Sequence, residues 1–277
     1  HRFTDSLNCH HCGYHQRPPE ACPECEVEGK LAACGPGVER VAEEAAALFP
    51  KARSEIVTSD TIAGPEQAAG FISRIEKHEV DLLIGTQIIA KGHHFPMLTL
   101  VGVIDADLGL AGGDLRAAER TYQLLHQVAG RAGRAQHAGR VLLQTYMPEH
   151  PVMAALCSGE REAFLAREAE ARENHGQPPA GRLAAVILSG RNEASVAGTA
   201  RALARIARNS LPRDSGIEIL GPAPAALMLL RGRYRYRLLI KCARATLPQP
   251  WLRSWLAELD APSRVTLRVD VDPYSFL

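Results

Sequence analysis

Apolar positions in the first half of the chain follow two alternating patterns. Helical spacing over 37–49, 65–78 and about 115–129 predicts three helices, the first ending near Pro50 and the second beginning at Pro65. Short apolar runs over 54–60, 80–86, 99–107 and 139–147 predict four strands, and "VDLLIGT" is typical of a strand covered on both faces. Because strands alternate with helices, we expect a parallel α/β sheet with helices on both faces for residues 35–150.

The second half of the chain has a different order of patterns. Residues 152–175 predict one long helix, which "HGQPPAG" ends, so that 151–178 is expected to be a helical connector. Strands are predicted at 182–190, 217–225 (running into a turn), 233–242 and 264–273, and helices at 193–211 and 250–259. This β-α-β-β-α-β order predicts a small α+β domain over 179–277, with its helices on one face of a sheet.

Residues 1–34 lack apolar periodicity and are rich in cysteine and histidine. Seven cysteines occur along the chain, and four of them form the C-x-x-C pairs Cys9/Cys12 and Cys22/Cys25. Each pair places two thiolates on one tight turn, which suits a tetrahedral zinc site; four free thiols are the alternative. Cysteine used in this way indicates a metal-binding module in a reducing cytoplasm rather than a disulfide framework.

Composition narrows the class of protein. The chain has 277 residues, of which 46% are hydrophobic and 23% charged, which is the profile of a globular protein with room for two domains. No apolar run is long enough to cross a membrane, and "HRFTDSLN" has no signal-peptide core, so that the chain is expected to begin inside a longer protein. Since the net charge is only +1, any nucleic-acid surface must be local.

Two polar stretches follow predicted elements of the parallel sheet. Thr86, Gln87, Lys91 and Gly92 lie in "GTQIIAKG", directly after a buried strand, where ligand-binding loops of parallel sheets lie; a polar connection is the alternative. The stretch "QVAGRAGR" ends the third predicted helix and contains Gln127, Gly130, Arg131 and Arg134. Its two arginines are three residues apart and share a helix face, which suits phosphate binding, but a solvated helix end has the same appearance.

A third basic stretch, "RGRYRYR", lies in the α+β domain. Strand alternation places Arg231, Arg233, Arg235 and Arg237 on one face and the two tyrosines between them on the other. Four like charges in a row repel one another, so that an anionic partner such as single-stranded nucleic acid is expected. The alternative is a solvated strand face with the tyrosines in the core.

In chain order, these stretches resemble a known family. "GTQIIAKGHHFP", "DAD" and "QVAGRAGRA" resemble motifs V and VI in the second RecA-like lobe of superfamily 2 helicases. Together with "CHHCGYHQRPPEACPEC", "LGPAPA", "RGRYRYR" and "DVDPYSFL", they resemble the primosomal replication-restart helicases from about Leu7 to the last residue.

The resemblance implies an ATP-dependent 3′→5′ DNA helicase that recognises stalled forks and starts primosome assembly in the bacterial cytoplasm, with Mg²⁺-ATP as substrate. It implies that Gln127, Arg131 and Arg134 face the ATP phosphates, with Gly92 and Gly130 beside the nucleotide. By the same resemblance, Thr86, Gln87 and Lys91 contact DNA. The implied partners are branched and single-stranded DNA, the tail of single-stranded DNA-binding protein and other primosome proteins.

Two features set this sequence apart from a complete helicase of that kind. The chain contains no G-x-x-x-x-G-K-[ST] loop and no D-E-x-H box, so that we expect it not to hydrolyse ATP alone. The family resemblance implies two zinc sites built from four C-x-x-C pairs, of which only Cys9/Cys12 and Cys22/Cys25 are present. The alternative interpretation is a non-enzymatic, zinc-dependent DNA-binding or fork-docking protein.

Overall fold

The structure is a computed structural model that describes residues 7–8, 15–22, 25–28, 37–58, 65–86, 95, 97–110, 114–133, 139–211, 213, 215–258 and 262–275. The chain divides into two compact units. The central unit comprises residues 32–111 and 117–164, and the C-terminal unit comprises 1–31, 112–116 and 165–277. The first strands of the chain, β1 (Leu7–Asn8) and β2 (His15–Gln16), form a short antiparallel pair.

The central unit alternates helices and strands, as the sequence predicts. Its elements are α1 (Val38–Leu48), β3 (Ser54–Val57), α2 (Pro65–Glu76), β4 (Leu82–Gly85), β5 (Leu100–Val103), α3 (Ala117–Ala129), β6 (Arg140–Leu143) and α4 (Pro151–Ser158). Strand β3 pairs with β4 and β5 pairs with β6, and both pairs are parallel. The expectation of parallel strands is therefore confirmed for these two pairs.

The predicted continuous sheet differs from what is observed. Within the described residues the strands form two separate two-stranded pairs, and each strand has only four residues. Leu100 on β5 and Leu142 on β6 are 53% and 54% exposed, so that one face of this pair is open rather than covered. An apolar run shows that a segment favours a strand, but the run does not reveal which faces other elements cover.

The predicted helix over 152–175 is broken in two. Helix α4 ends at Ser158, and α5 (Arg161–Asn174) begins after a short link. Gly159 has a left-handed backbone with φ of 77°, and its N–H donates to the Ala155 carbonyl, which ends α4. Glycine takes this conformation without the steric cost that a side chain brings, so the helical pattern is interrupted at this residue.

The C-terminal unit has the predicted β-α-β-β-α-β order. Its elements are β7 (Gly181–Gly190), α6 (Glu193–Asn209), β8 (Glu218–Leu230), β9 (Arg233–Ala243), α7 (Gln249–Ala257) and β10 (Thr266–Val271). The four strands form one antiparallel sheet in the order β10-β7-β9-β8. Strand β8 continues to Leu230 instead of turning near Ala225, because the edge of the sheet accommodates Pro222 and Pro224 as irregularities in register.

The core of the C-terminal unit lies between the sheet and its two helices. The fully buried side chains of Val186 and Leu188 on β7 and of Leu238 on β9 pack against the helices. Leu203 of α6 and Trp255 of α7 belong to the same buried cluster.

Since side chains alternate along a strand, the odd-numbered residues of β9 lie on the face of this sheet away from α6 and α7. We call it the helix-free face because neither of these two helices covers it; Leu183 and Ala185 of β7 are buried on it. Among the described residues, no helix is long and apolar enough to cross a membrane.

Candidate functional site

The end of helix α3 carries the described part of the "QVAGRAGR" stretch. Gln127 is exposed in the last turn of the helix, and Gly130 donates its N–H to the His126 carbonyl. Arg131 continues the turn by donating its N–H to the Val128 carbonyl, and its side chain is half-buried. The Gly133 N–H donates to Leu98 at 3.0 Å, which fixes the stretch beside the start of β5. Arg134 lies outside the described residues.

Most of the "GTQIIAKG" stretch also lies outside them. Thr86 follows directly after β4 and is exposed, as a residue at the carboxyl end of a parallel strand is expected to be. Gln87, Lys91 and Gly92 are outside the described residues, so that their predicted roles stay predictions. Thr86 and Arg131 both belong to the central unit.

A buried carboxylate, Asp107, joins the ends of β5 and β6 and was not identified as a site residue from the sequence. Its side chain accepts a hydrogen bond from the Thr145 hydroxyl at 2.5 Å and from the Tyr146 N–H at 2.6 Å. Asp107 is 9% exposed, and it fixes the two loops that leave the carboxyl ends of these strands. Asp107 is the second aspartate of "DAD", a stretch that carries part of the family resemblance, but the resemblance assigned no role to this residue.

The second cysteine pair lies on a tight turn. The Cys22 N–H donates to the Val27 carbonyl, and the Cys22 carbonyl accepts from the Glu26 N–H at 2.8 Å. This turn brings the half-buried Cys22 and the exposed Cys25 to the i and i+3 positions of one knuckle. Two thiols on such a knuckle fit half of a tetrahedral zinc site. Cys9 and Cys12 lie outside the described residues.

The predicted row of four arginines is correct for three of them. Arg233, Arg235 and Arg237 lie on the helix-free face of β9. Arg231 does not belong to this row, because it lies in the two-residue turn between β8 and β9 with φ of +49°. The strand begins only after Gly232, so strand alternation does not apply to Arg231.

Arg233 spans the sheet from β9 to β10. Its Nη2 donates to the Ser189 carbonyl on β7 and to the Thr266 hydroxyl on β10, both at 2.9 Å. The guanidinium of Arg233 therefore links β9 to β7 and β10 by hydrogen bonds, and its side chain lies flat on the sheet.

Arg235 lies beside two other guanidinium groups. Burial of its side chain, and then the charges of Arg268 and Arg237, hold the pKa of Arg235 below its usual value. Its Nη1 is buried and has no hydrogen-bond partner among the described residues. Arg268 on β10 is exposed and was missed by the sequence reasoning, because its place depends on how β10 pairs with β7. We name Arg235, Arg237 and Arg268 the arginine cluster.

The tyrosines of β9 lie on the helix-covered face, as strand alternation predicts. Tyr236 packs against the core, and its hydroxyl donates to the Glu193 carboxylate at 3.2 Å. Burial and then this carboxylate raise the pKa of Tyr236. Tyr236 is thus a core residue, which was the alternative interpretation of this stretch. It lies on the opposite face from the arginines, so that it does not offer a stacking surface beside them.

Comparison with known proteins shows similarity along the whole chain. Residues 173–274 match the family model described as "Primosomal protein N C-terminal domain". The chain is 46% identical to the replication restart protein PriA of Rickettsia conorii over 276 residues, which is 100% of this chain and 42% of that protein.

Two more distant relatives carry the same name. The chain is 38% identical to the protein of Synechocystis, over 97% of this chain and 32% of that relative. It is 36% identical to the protein of Bacillus subtilis, over 100% of this chain and 34% of that relative. The chain thus spans between about a third and two fifths of the length of these curated relatives. The chain therefore belongs to the family of replication restart PriA proteins, of which it represents a portion that includes the primosomal protein N C-terminal domain.

Proposed function

We propose that this chain is part of an ATP-dependent DNA helicase that acts with 3′→5′ polarity at stalled replication forks and starts primosome assembly. The observation that carries the proposal is similarity along the whole chain to proteins named for replication restart. The expected partners are branched and single-stranded DNA, the tail of single-stranded DNA-binding protein and other primosome proteins, in the bacterial cytoplasm.

In this proposal, residues 35–150 are the second RecA-like lobe of the motor. Arg131 and Arg134, with Gln127 and Gly130, face the phosphates of Mg²⁺-ATP bound to a first lobe in the longer protein. Thr86, Gln87, Lys91 and Gly92 connect the DNA backbone with that nucleotide. Arg131 lies at the end of α3, next to the start of β5, and the support for its role is the resemblance of "QVAGRAGRA" to the helicase motif VI.

The C-terminal unit supplies a DNA-binding surface in the same proposal. Arg233, Arg235 and Arg237 place positive charge on the helix-free face of the sheet, with Arg231 at the tip of the adjacent hairpin. Arginine pairs well with phosphate because its planar fork offers several donors at once.

ATP hydrolysis by this chain tests the proposal that the ATP site is formed by two lobes, of which this chain contains only the second. The sequence has no phosphate-binding loop, so that we expect no phosphate release above background in the presence of single-stranded DNA. The longer protein should hydrolyse ATP when the same DNA is added. Robust turnover by the 277-residue chain would contradict the proposed lobe assignment. A longer protein without turnover would favour a non-enzymatic fork-docking protein.

Zinc binding by the cysteine pairs is a separate part of the proposal. Cys22 and Cys25 would hold the ion together with Cys9 and Cys12 or with cysteines of the longer protein, and zinc would stabilise the module without taking part in the chemistry. We expect purified protein to contain zinc by elemental analysis, and the Cys22→Ser/Cys25→Ser variant to lose it. Cys157→Ser, which removes an exposed single cysteine, is the control. Equal zinc content in all three proteins would overturn this assignment.

A further inference from the structure

The segment directly before helix α3 contacts the segment that follows β10. Residues 114–116 belong to the C-terminal unit, and the chain continues from them into α3, which begins at Ala117 in the central unit. The guanidinium carbon of Arg116 lies 4.1 Å from the centroid of the Tyr274 ring, which is a cation–π contact. The Asp114 carboxylate accepts the Arg116 N–H at 3.0 Å, and this local turn directs the chain into the helix. The residue that precedes α3 is therefore held by the C-terminal unit.

Tyr274 follows a residue that is fixed to the C-terminal sheet. The Asp272 N–H donates to the Leu183 carbonyl at 2.7 Å, and the Asp272 carboxylate accepts from the Leu183 N–H at 3.3 Å. Arg182 donates from Nη1 to the same carboxylate at 2.9 Å and from Nε to the Arg244 carbonyl at 2.9 Å. These bonds join the start of β7, the residue after β9 and the residue after β10. Since Tyr274 is only two residues further along the chain, its backbone has a fixed support.

The contact between Arg116 and Tyr274 is not enclosed by other side chains. Tyr274 is 68% exposed, and a cavity of about 210 Å³ lies beside the contact, lined also by Leu115, Pro178 and Pro179. Well-packed interiors leave few voids of this size, so that Arg116 can leave the ring without displacing the core. The closed arrangement is thus favoured mainly by the contact itself. An exposed cation–π contact shifts such an equilibrium by about threefold.

Helix α3 connects this contact with Arg131. The helix has 13 residues and a length of roughly 20 Å, and Arg131 continues its last turn by donating its N–H to the Val128 carbonyl. The side of the helix is packed within the central unit, where Tyr122 stacks on Phe164 with ring centroids 4.7 Å apart. A packed helix moves as a unit, so that a change at its first residue is transmitted to its end rather than absorbed between them.

We propose that Arg116 and Tyr274 position Arg131 for ATP hydrolysis. While the guanidinium of Arg116 lies on the Tyr274 ring, α3 is held where its end presents Arg131 to the nucleotide of the first lobe. Arg116 and Tyr274 are positioning residues, because in this arrangement neither contacts the nucleotide. The inference rests on the proposed function and extends it, since it makes the rate of hydrolysis depend on a contact within the C-terminal unit.

Steady-state ATP hydrolysis by the longer protein, with single-stranded DNA added, tests the inference. Tyr274→Ala should lower kcat by about threefold and leave KM for ATP unchanged, because the other lobe binds the nucleotide. Tyr274→Phe keeps the ring and should retain the wild-type kcat. Arg205→Ala, which removes an exposed arginine of α6, is the control and should also retain it.

A double-mutant cycle separates this contact from two independent effects. Arg116→Ala should lower kcat as much as Tyr274→Ala does, and the double variant should be no slower than either single variant, because each removes the same contact. Additive losses would show that the two side chains act separately and would overturn the inference. A loss in Tyr274→Phe equal to that in Tyr274→Ala would assign the effect to the hydroxyl, with the same consequence.

Hydrogen exchange measured by mass spectrometry tests the contact without ATP hydrolysis. In the 277-residue chain, a peptide that covers 114–121 should exchange faster in Tyr274→Ala than in the wild type or in Tyr274→Phe. Equal exchange in all three proteins, or wild-type kcat in Tyr274→Ala, would overturn the inference and leave the proposed function standing. A longer protein that does not hydrolyse ATP in the presence of DNA would overturn both.

Discussion

Asp81 and Arg53 show how one side-chain pair can connect two loops of the central unit. Asp81 precedes β4 and Arg53 precedes β3. The Asp81 carboxylate accepts three hydrogen bonds from Arg53, from its backbone N–H at 2.9 Å, from Nε at 2.8 Å and from Nη2 at 2.6 Å. These bonds hold the starts of two parallel strands side by side, and they lower the pKa of Asp81 well below its usual range.

Replacement of Asp81 tests this role through the pH dependence of stability. The carboxylate is stabilised in the folded state, so that its contribution is present above the unfolded pKa of about 3.9 and is lost as the pH falls towards the lower folded value. We expect Asp81→Asn to melt at a lower temperature than the wild type at pH 7, and the difference to shrink below about pH 4. Glu44→Gln, which removes an exposed carboxylate paired with Arg40 on α1, is the control. A difference that stays constant from pH 7 to about pH 2 would contradict the role of Asp81.

At the scale of elements, the hairpin between β8 and β9 combines a basic tip with an unfavourable backbone. Arg231 and Gly232 form its two-residue turn, and both have positive φ, at 49° and 69°. Such a turn suits the twist of a hairpin, and asparagine or glycine usually occupies its first position. Arginine pays a steric cost there because its Cβ approaches the backbone.

Substitution at this turn should therefore stabilise the protein. We expect Arg231→Asn to raise the free energy of unfolding by about 1 kcal/mol and Gly232→Ala to lower it by a similar amount. Urea denaturation monitored by circular dichroism measures both changes. An Arg231→Asn variant no more stable than the wild type would show that the turn is not strained. The affinity of the same variant for single-stranded DNA reports separately on Arg231 as a DNA contact.

The sequence predicts a helix or strand, and the residues at which it ends, when the residues that determine them are neighbours in the chain. The order of strands and helices from β7 to β10 follows from apolar periodicity, and it is confirmed. The break at Gly159 was missed because glycine inside an alanine-rich helical pattern is often tolerated, and the observed left-handed backbone cannot be read from spacing. Strand β8 was predicted too short because Pro222 and Pro224 are usual turn signals, whereas an edge strand tolerates them.

At the scale of the whole molecule, the candidate site was only partly predictable. The row on β9 follows from alternation within one segment, so that Arg233, Arg235 and Arg237 were placed on one face. Arg268 is 31 residues beyond Arg237, and it joins the cluster only through the register of β10 on β7. Asp107 likewise gains its role from a loop 38 residues away. Long-range pairing of this kind leaves no periodic signal in the sequence.

The central claim is that Arg131 belongs to the motor of a 3′→5′ DNA helicase. The most direct measurement is ATP-dependent strand displacement by the longer protein on partial duplexes that carry either a 3′ or a 5′ single-stranded tail. We predict displacement from the 3′-tailed duplex, and a loss of rate of about a thousandfold in Arg131→Ala, as arginines that stabilise a transferring phosphoryl group produce. Arg161→Ala, an exposed arginine on α5, should displace the strand at the wild-type rate. Displacement only from the 5′-tailed duplex, or an Arg131→Ala variant as fast as Arg161→Ala, would contradict this account.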